Sequence, residues 1–261
     1  MKIGVAGLSG RVSELITQEL LSGKWSPLTI GAGLSRNAKD PKFQKYDFSI
    51  YTDDQLDSFL DNSECVIDFT TPDSTLKITE SASNSGVPLV IGTTGLSKDQ
   101  ENHLQNLAHK TPIVYAANMS LGVNLLMALV QQAAKSLDAD WDIEIAETHH
   151  KHKKDAPSGT ALALGKAAAA GREEDLQNLA VYDRFGYTGA RKQGTIGFAV
   201  QRGGDVVGEH DVTFYGQGER ITLRHVASDR SLFAKGALKA AQWVTSQSEP
   251  GLYTMKDVLG L

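Results

Sequence analysis

From Ile3 to about Ala116 the chain alternates short apolar segments with stretches of helical period, and few folds accept that pattern. Ile3-Gly4-Val5-Ala6 reads as a strand, after which Val12, Leu15, Ile16 and Leu20 recur at helical spacing until Gly23 closes the segment. Leu28–Leu34, Cys65–Phe69, Pro88–Ile91 and Ile113–Ala116 read as further strands. Pro72 opens a helix that Gly86 and Pro88 end, and Ser97 with Gln100 has capping-box spacing ahead of another. Short strands separated by helices pair through crossovers, so this half predicts a mostly parallel sheet with helices on both faces, a doubly wound α/β domain.

The turn after the first strand carries chemistry. Gly7-Leu8-Ser9-Gly10-Arg11-Val12 sits between strand and helix, followed by Ser13 where a third glycine would stand in a dinucleotide-binding turn. Glycines let a backbone approach a pyrophosphate, and the helix N-terminus adds unpaired N–H groups and a positive dipole end. A merely tight turn is the bland alternative; the position within an alternating fold favours a Rossmann-like cofactor site. The second strand ends Leu34-Ser35-Arg36 with no carboxylate. A carboxylate there would bind ribose hydroxyls, whereas Ser35 and Arg36 suit a 2′-phosphate, so NADPH is expected ahead of NADH. Two more loops follow apolar strands, Gly92-Thr93-Thr94-Gly95 and Ala116-Ala117-Asn118-Met119-Ser120, where a parallel open sheet lines its ligand crevice.

Past about residue 121 the pattern changes. A long apolar helix, Val123–Leu137, precedes the alternating strand Trp141–Ile145, and a polar loop then enters an alanine-rich helix, Thr160–Ala170. Longer alternating segments follow at Thr195–Gln201, Val206–Phe214 and Arg220–Val226, then a last helix, Ser231–Thr245. This predicts a second, α+β domain with a mixed or antiparallel sheet.

Three of the chain's seven histidines, His149, His150 and His152, fall beside Lys151, Lys153 and Lys154, just before Asp155-Ala156-Pro157-Ser158-Gly159-Thr160 at a helix entry. A solvated basic loop leaves that clustering without a cause. A metal site is disfavoured: there is no H-E-x-x-H pair and no nearby cysteine, and the lysines would repel a dication. An anion site with an acid fits better. Lysine and charged histidine attract carboxylates, the helix start offers N–H donors, and a histidine or ammonium delivers a proton at neutral pH.

A formal net charge of −5 gives no electrostatic reason to expect nucleic acid or an anionic membrane as partner. No apolar run nears the roughly 20 residues of a membrane span. The single cysteine, Cys65, lies in an apolar strand segment and reads as a reduced core thiol, so a cytoplasmic protein is expected.

With these residues in view, the chain closely resembles the dihydrodipicolinate reductase family. The likeness runs through VIGTTG at Val90, YAANMSLGVN at Tyr115, ETHHKHKKDAPSGT at Glu147 and GTIGFAVQRGGDVVGEH at Gly194, then on to the C-terminus. It implies a reductase of lysine (diaminopimelate) biosynthesis that sends hydride from NADPH or NADH to the dicarboxylate 4-hydroxy-tetrahydrodipicolinate. His149 would be the proton donor/acceptor and Lys153 a second proton donor, with His150, Gly159 and Thr160 on the substrate carboxylates. Gly7 to Val12 would hold the pyrophosphate, Ser35 and Arg36 the ribose end, and Gly92 to Thr94 with Ala116 to Met119 the nicotinamide. It further implies a homotetramer, and a cofactor domain of residues 1–121 plus 230–261 around a substrate domain of 122–229. Ser13 and Ser35 depart from the family pattern, the first replacing a glycine and the second an acidic residue. Another aspartate-pathway dehydrogenase is a rival, although a semialdehyde enzyme needs a thiol nucleophile and Cys65 is poorly placed. A non-catalytic NADP sensor is another, although a sensor has no use for the histidines and lysine.

Overall fold

A computed structural model describes the whole chain, Met1 to Leu261. It begins with β1 (Lys2–Ala6), α1 (Arg11–Leu21), β2 (Thr29–Leu34), β3 (Ser49–Tyr51), α2 (Leu56–Asp61), β4 (Cys65–Asp68) and α3 (Pro72–Ser85). Next come β5 (Leu89–Ile91), α4 (Lys98–Leu107), β6 (Pro112–Tyr115), α5 (Leu121–Ser136), β7 (Asp142–His149) and α6 (Gly159–Gly171). The chain continues through α7 (Leu176–Leu179), β8 (Ala180–Val181), β9 (Ile196–Arg202), β10 (Gly208–Tyr215) and β11 (Arg220–Ala227). It closes with α8 (Ser231–Val244), β12 (Gly251–Tyr253) and α9 (Met255–Leu259). Two compact units result, Met1–Leu121 with Arg230–Leu261, and Gly122–Asp229.

The first unit holds a seven-stranded sheet in the order β12-β6-β5-β4-β1-β2-β3. Every neighbouring pair in it is parallel. The sheet is doubly wound: the chain builds outward from β1 through β2 and β3, then returns to add β4 on the other side. The turns after β1 and β4 therefore flank a topological switch point, where such sheets bind ligands. The uninterrupted apolar runs follow from two covered faces. Cys65 and Ile67 face a core with Ile16, Leu20, Ala237 and Leu238, while Val66 faces another with Phe59, Ile78 and Leu104. Burial pushes the Cys65 thiol far up, which leaves it an inert core group.

Helix α8 belongs to this unit and lies directly on its backbone. A Cβ on Gly236 would overlap the Met119 carbonyl oxygen, so the helix reaches its place only because that position has no side chain.

The second unit is the mixed sheet β11-β10-β7-β9-β8. β7 runs antiparallel to β10 and parallel to β9. Helices α5 and α6 cover one face with Leu126, Val130, Ala161, Leu164 and Ala168 against Ile143, Ile145, Val212 and Phe214. No helix of the chain is long and apolar enough to cross a membrane.

One sequence expectation needs correction. The strand does not stop at Ile145; β7 runs to His149 with alternation unbroken, so Glu147 and His149 are strand residues facing inward with Ile143 and Ile145. Apolar periodicity could not register the last two inward positions because both are polar.

Candidate functional site

In the first unit, β1 delivers the chain to Gly7 in the left-handed region, φ 72°. A Cβ there would stand 2.7 Å from the Phe69 carbonyl oxygen, so only glycine meets both conditions. The Gly10 N–H bonds the Gly7 carbonyl at 2.7 Å and the Leu8 N–H bonds the Leu34 carbonyl at 3.0 Å, closing the turn against β2. Gly10 caps α1 without a side-chain bond, which leaves the first-turn amides open for an anion. Ser13 is fully buried and its Oγ donates to the Ala6 carbonyl at 3.0 Å. A serine is thus accommodated at the third glycine position because its hydroxyl finds the end of β1.

A cleft of about 200 Å³ opens beside this turn, lined among others by Gly7, Ser9, Gly10, Ser35, Arg36, Phe69 and Thr70. Asp53 lines it too, a residue that sequence reading missed. It follows β3, whose Ser-Ile-Tyr carries no apolar run to mark it as a strand. Ser35 is buried, its N–H on the Tyr51 carbonyl at 2.9 Å, while Arg36 is exposed. Arg11 is exposed, Val12 half-buried, and the Leu8 side chain is in the core.

The other loops of this unit contribute unevenly. Thr93 is buried, and its Oγ1 accepts the Thr75 hydroxyl at 2.9 Å and the Thr70 N–H at 3.0 Å. Asp68, also fully buried, accepts the Thr70 N–H at 2.9 Å, and burial pushes its carboxyl up. The Thr93 hydroxyl therefore ties strand ends together rather than facing outward, while Thr94 is exposed. Gly92 sits under the Phe69 ring, which a Cβ would overlap. Met119 is buried in the core with α8, Ala116 and Asn118 are half-buried, and Ala117 is exposed. For Leu8, Thr93 and Met119, backbone groups are what remains to offer a ligand.

In the second unit, four elements bring polar groups to the end of β7. Glu147 and His149 are two residues apart on a strand and so share a face. Glu147 Oε2 meets His149 Nδ1 at 2.6 Å, with Glu147 2% and His149 8% exposed. Arg202 at the end of β9, paired in register with His149, grips the same carboxylate with Nη1 at 2.8 Å and Nη2 at 3.0 Å. The Ser158 N–H donates to Glu147 Oε1 at 2.8 Å, and Ser158 Oγ caps α6 by accepting the Ala161 N–H at 3.1 Å. His210, opposite Glu147 on β10, meets Ser158 Oγ through Nε2 at 3.1 Å and packs edge-on to His149 with ring centres 5.1 Å apart.

Burial sets the Glu147 carboxyl upward, but the bonds from Arg202, His149 and the Ser158 N–H together outweigh it and hold it below its ordinary range. His210 is pushed down to about 4, first by burial and then by the positive charge of its neighbour His149.

Lys153 pairs with Asp155 at 3.0 Å. The His150 N–H bonds the Val206 carbonyl at 2.7 Å, fixing the start of the loop, and its ring lies 6.2 Å from that of His152. Gly159 and Thr160 begin α6, with Gly159 exposed at its open N-terminal end. Of the predicted residues, His149 is tied through Glu147 to Ser158, the neighbour of Gly159, whereas Glu147, Arg202 and His210 were not anticipated. Their one sequence signal was spacing: Glu147 stands two before His149, as a shared strand face requires. No group of three His, Cys, Asp or Glu side chains converges in a metal-holding arrangement.

The buried neutral histidine has a consequence for acid stability. The unfolded chain takes up a proton on His210 near its ordinary 6.5, the folded chain only near 4. Its contribution is therefore complete above pH 6.5 and lost as the pH falls toward 4, about 3 kcal/mol in all. Denaturant melts at several pH values should show a shallower loss over that window for His210→Gln; equal slopes would show that His210 does not remain neutral. Glu147, held low, loses its contribution further into acid, below the ordinary carboxylate range.

Comparison with known proteins covers both units. Residues 1–119 match the family model described as dihydrodipicolinate reductase, N-terminus, and residues 122–259 the model described as dihydrodipicolinate reductase, C-terminus. The 4-hydroxy-tetrahydrodipicolinate reductase of Roseobacter denitrificans is 48% identical over 268 residues, covering 100% of this chain and 97% of that one. The enzyme of the same name from Dinoroseobacter shibae is 57% identical over 210 residues, 80% of this chain and 77% of that one. Among solved structures, a dipicolinate-bound dihydrodipicolinate reductase from Paenisporosarcina sp. TG-14 shares the fold with a TM-score of 0.78 at 22% identity, covering 97% of each chain.

Proposed function

The chain belongs to the dihydrodipicolinate reductase family, and on that premise we propose how its residues divide the reaction. It is an NAD(P)H-dependent oxidoreductase, a 4-hydroxy-tetrahydrodipicolinate reductase of lysine biosynthesis. Substrate, NAD(P)H and one proton give tetrahydrodipicolinate, NAD(P)⁺ and water. The observation that carries the reading is the match of both family models along the two units, with the histidine-lysine stretch intact.

Cofactor residues are those of the first unit. The Gly7–Gly10 turn, where a Cβ at Gly7 would fill the space, fits a pyrophosphate against the amides at the start of α1. A dinucleotide held by this turn would supply a hydride from its dihydronicotinamide. Ser35 and Arg36 hold the adenosine ribose end, and backbone at Gly92, Thr93, Thr94, Ala116, Ala117, Asn118 and Met119 borders the nicotinamide.

In the second unit, His150, Gly159 and Thr160 hold the substrate carboxylates, the helix end contributing N–H groups and a favourable dipole. His149 donates the proton that lets the 4-hydroxyl leave as water while the ring gives up a C3 proton to solvent, and Lys153, the second donor, returns a proton to C3 once hydride has reached C4, a net uptake of one proton.

NADPH is the preferred reductant, since the exposed Arg36 guanidinium suits a 2′-phosphate; Asp53 on the same cleft favours a free ribose diol and keeps NADH in use. The test is oxidation of each cofactor with freshly made substrate, followed by loss of reduced-nicotinamide absorbance. Arg36→Ala is expected to lower kcat/KM for NADPH by about 10- to 100-fold, the worth of one charge-assisted bond, and to leave NADH nearly unaffected. No oxidation of either cofactor by the unmodified protein would end the functional reading. Unchanged selectivity in the variant would end only the role of Arg36.

A homotetramer is part of the same proposal. The sheet face of the second unit turned away from α5 and α6 carries Tyr215 and Val226, 43% and 49% exposed, apolar positions suited to a second copy. Sedimentation should give four times the chain mass of 28.1 kDa; a monomer would refute it.

A further inference from the structure

We propose that Glu147 is a positioning residue of this reductase: it holds His149 with its proton on Nδ1, so that Nε2 alone exchanges protons with substrate, and Arg202 locks the carboxylate for that task. The proposal rests on the reading of His149 as proton donor.

Four donors converge on the two Glu147 oxygens. Oε2 takes His149 Nδ1 at 2.6 Å and Arg202 Nη1 at 2.8 Å. Oε1 takes the Ser158 N–H at 2.8 Å and Arg202 Nη2 at 3.0 Å. A carboxylate so occupied is an acceptor only, and an acceptor leaves His149 Nδ1 no choice but to donate. The neutral ring is then the Nδ1–H tautomer with a bare Nε2, and the charged ring gives up its Nε2 proton first. The histidine's reactive nitrogen is chosen by its partner on the other side of the ring.

Arg202 does two things here. Its fork fixes the carboxylate in rotation, and Nη2 also reaches the Asp155 carbonyl at 2.7 Å, which ties the start of the DAPSGT segment to the same anchor. Its charge offsets that of Glu147. A lone buried carboxylate would hold the imidazolium tightly and slow proton release; with the guanidinium alongside, Glu147 orients more than it traps.

Nε2 lies against Gly208 of β10. A Cβ on Gly208 would come 2.9 Å from His149 Nε2, so a glycine stands where any side chain would crowd the exchanging atom. His149 stands beside Arg202, its register partner on β9, and His210 on β10, with His225 paired to His210 on β11; Ser158 at the head of α6 bonds both Glu147 and His210, and Lys153, paired with Asp155, acts by its charge on His210. None of Arg202, His210, Ser158 and Lys153 is hydrogen-bonded to the ring; its partner is Glu147.

The deciding experiment joins spectroscopy to kinetics in the full-length protein. Nitrogen-15 NMR of histidine-labelled wild type, with His149 assigned from the His149→Gln spectrum, should show a protonated Nδ1 and a bare Nε2 above the ring's titration. A resonance pattern of the opposite tautomer overturns the proposal, and this measurement needs no Glu147 variant to fold. In steady state, Glu147→Gln should cost about 10²-fold or more in kcat with KM within a few-fold, because the amide permits the wrong tautomer.

The same variant should move the high-pH fall of kcat/KM to lower pH, since the negative charge that favours the imidazolium is gone. Arg202→Met should move it to higher pH, and Glu147→Asp should restore the wild-type position at least in part. If His149→Gln loses turnover while Glu147→Gln keeps wild-type kcat and pH profile, positioning by Glu147 is refuted and the proton-donor role of His149 stands. If His149→Gln itself keeps full turnover, the functional reading of His149 is what fails.

Discussion

His149→Gln is expected to lower kcat by about 10²–10⁴-fold while KM changes little. Glutamine keeps roughly the reach of the imidazole and can still donate to Glu147, so the buried carboxylate, with Arg202 and the Ser158 N–H on it, retains its partners. What the amide cannot do is release a proton near neutral pH. Loss of the leaving hydroxyl as water then depends on solvent or on Lys153, and the barrier rises by the worth of a general acid. Substrate binding does not pass through His149 on this reading, which is why KM is spared. Steady-state assays at saturating reductant measure both quantities, and turnover within about threefold of wild type would remove His149 from the mechanism. The same assay on Lys153→Ala asks whether the second donor acts at the same step.

Gly236→Ala is expected to destabilise the protein by about 3 kcal/mol, although alanine in a helix interior ordinarily gains about 1 kcal/mol over glycine. Sterics decide between these effects. The added methyl would overlap the Met119 carbonyl, a backbone group held between β6 and α5 that has no rotamer to yield. Helix α8 must then withdraw from a core in which Ala234, Ala237, Leu238, Ala241 and Val244 are all fully buried. Overpacking of this kind shifts the melting temperature down by about 6–12 °C for a chain of this size. A thermal melt settles it: an unchanged or raised midpoint would mean that the helix does not press on that carbonyl.

The architecture was legible wherever one physical signal dominated. The long apolar runs of β1, β2, β4, β5 and β6 announced strands covered on both faces, and the Ser97–Gln100 capping box is formed as read, with Ser97 Oγ accepting the Gln100 N–H at 3.3 Å. Short strands without an apolar run escaped: β3 (Ser-Ile-Tyr) and β12 (Gly-Leu-Tyr) are no shorter than β5 but lack its unbroken Leu-Val-Ile, and their places in the sheet are set by neighbours rather than by their own sequence. The glycine turn was readable because Gly7 answers to two constraints at once. The polar site was readable only at its centre. His149 and Lys153 stood out through clustering, but Arg202 and His210 lie far along the chain and join them through the pairing of β9 and β10 with β7, which no local pattern encodes. Asp53 escaped for the same reason.

The unbroken alternation of β7 carries one more implication. His149 and His150 are adjacent, so the two rings point to opposite sides of the strand, one toward Glu147 and the other toward the loop. A single-residue insertion or deletion between Asp142 and Glu147 would turn the Glu147–His149 pair to the other face together, and one at Thr148 would part the two, leaving His149 on the side away from the carboxylate. Changes of length are absorbed far more easily after His150, in the exposed stretch toward Asp155, than before it. For an engineer, the reading frame of that strand is as much a part of the chemistry as the histidine itself.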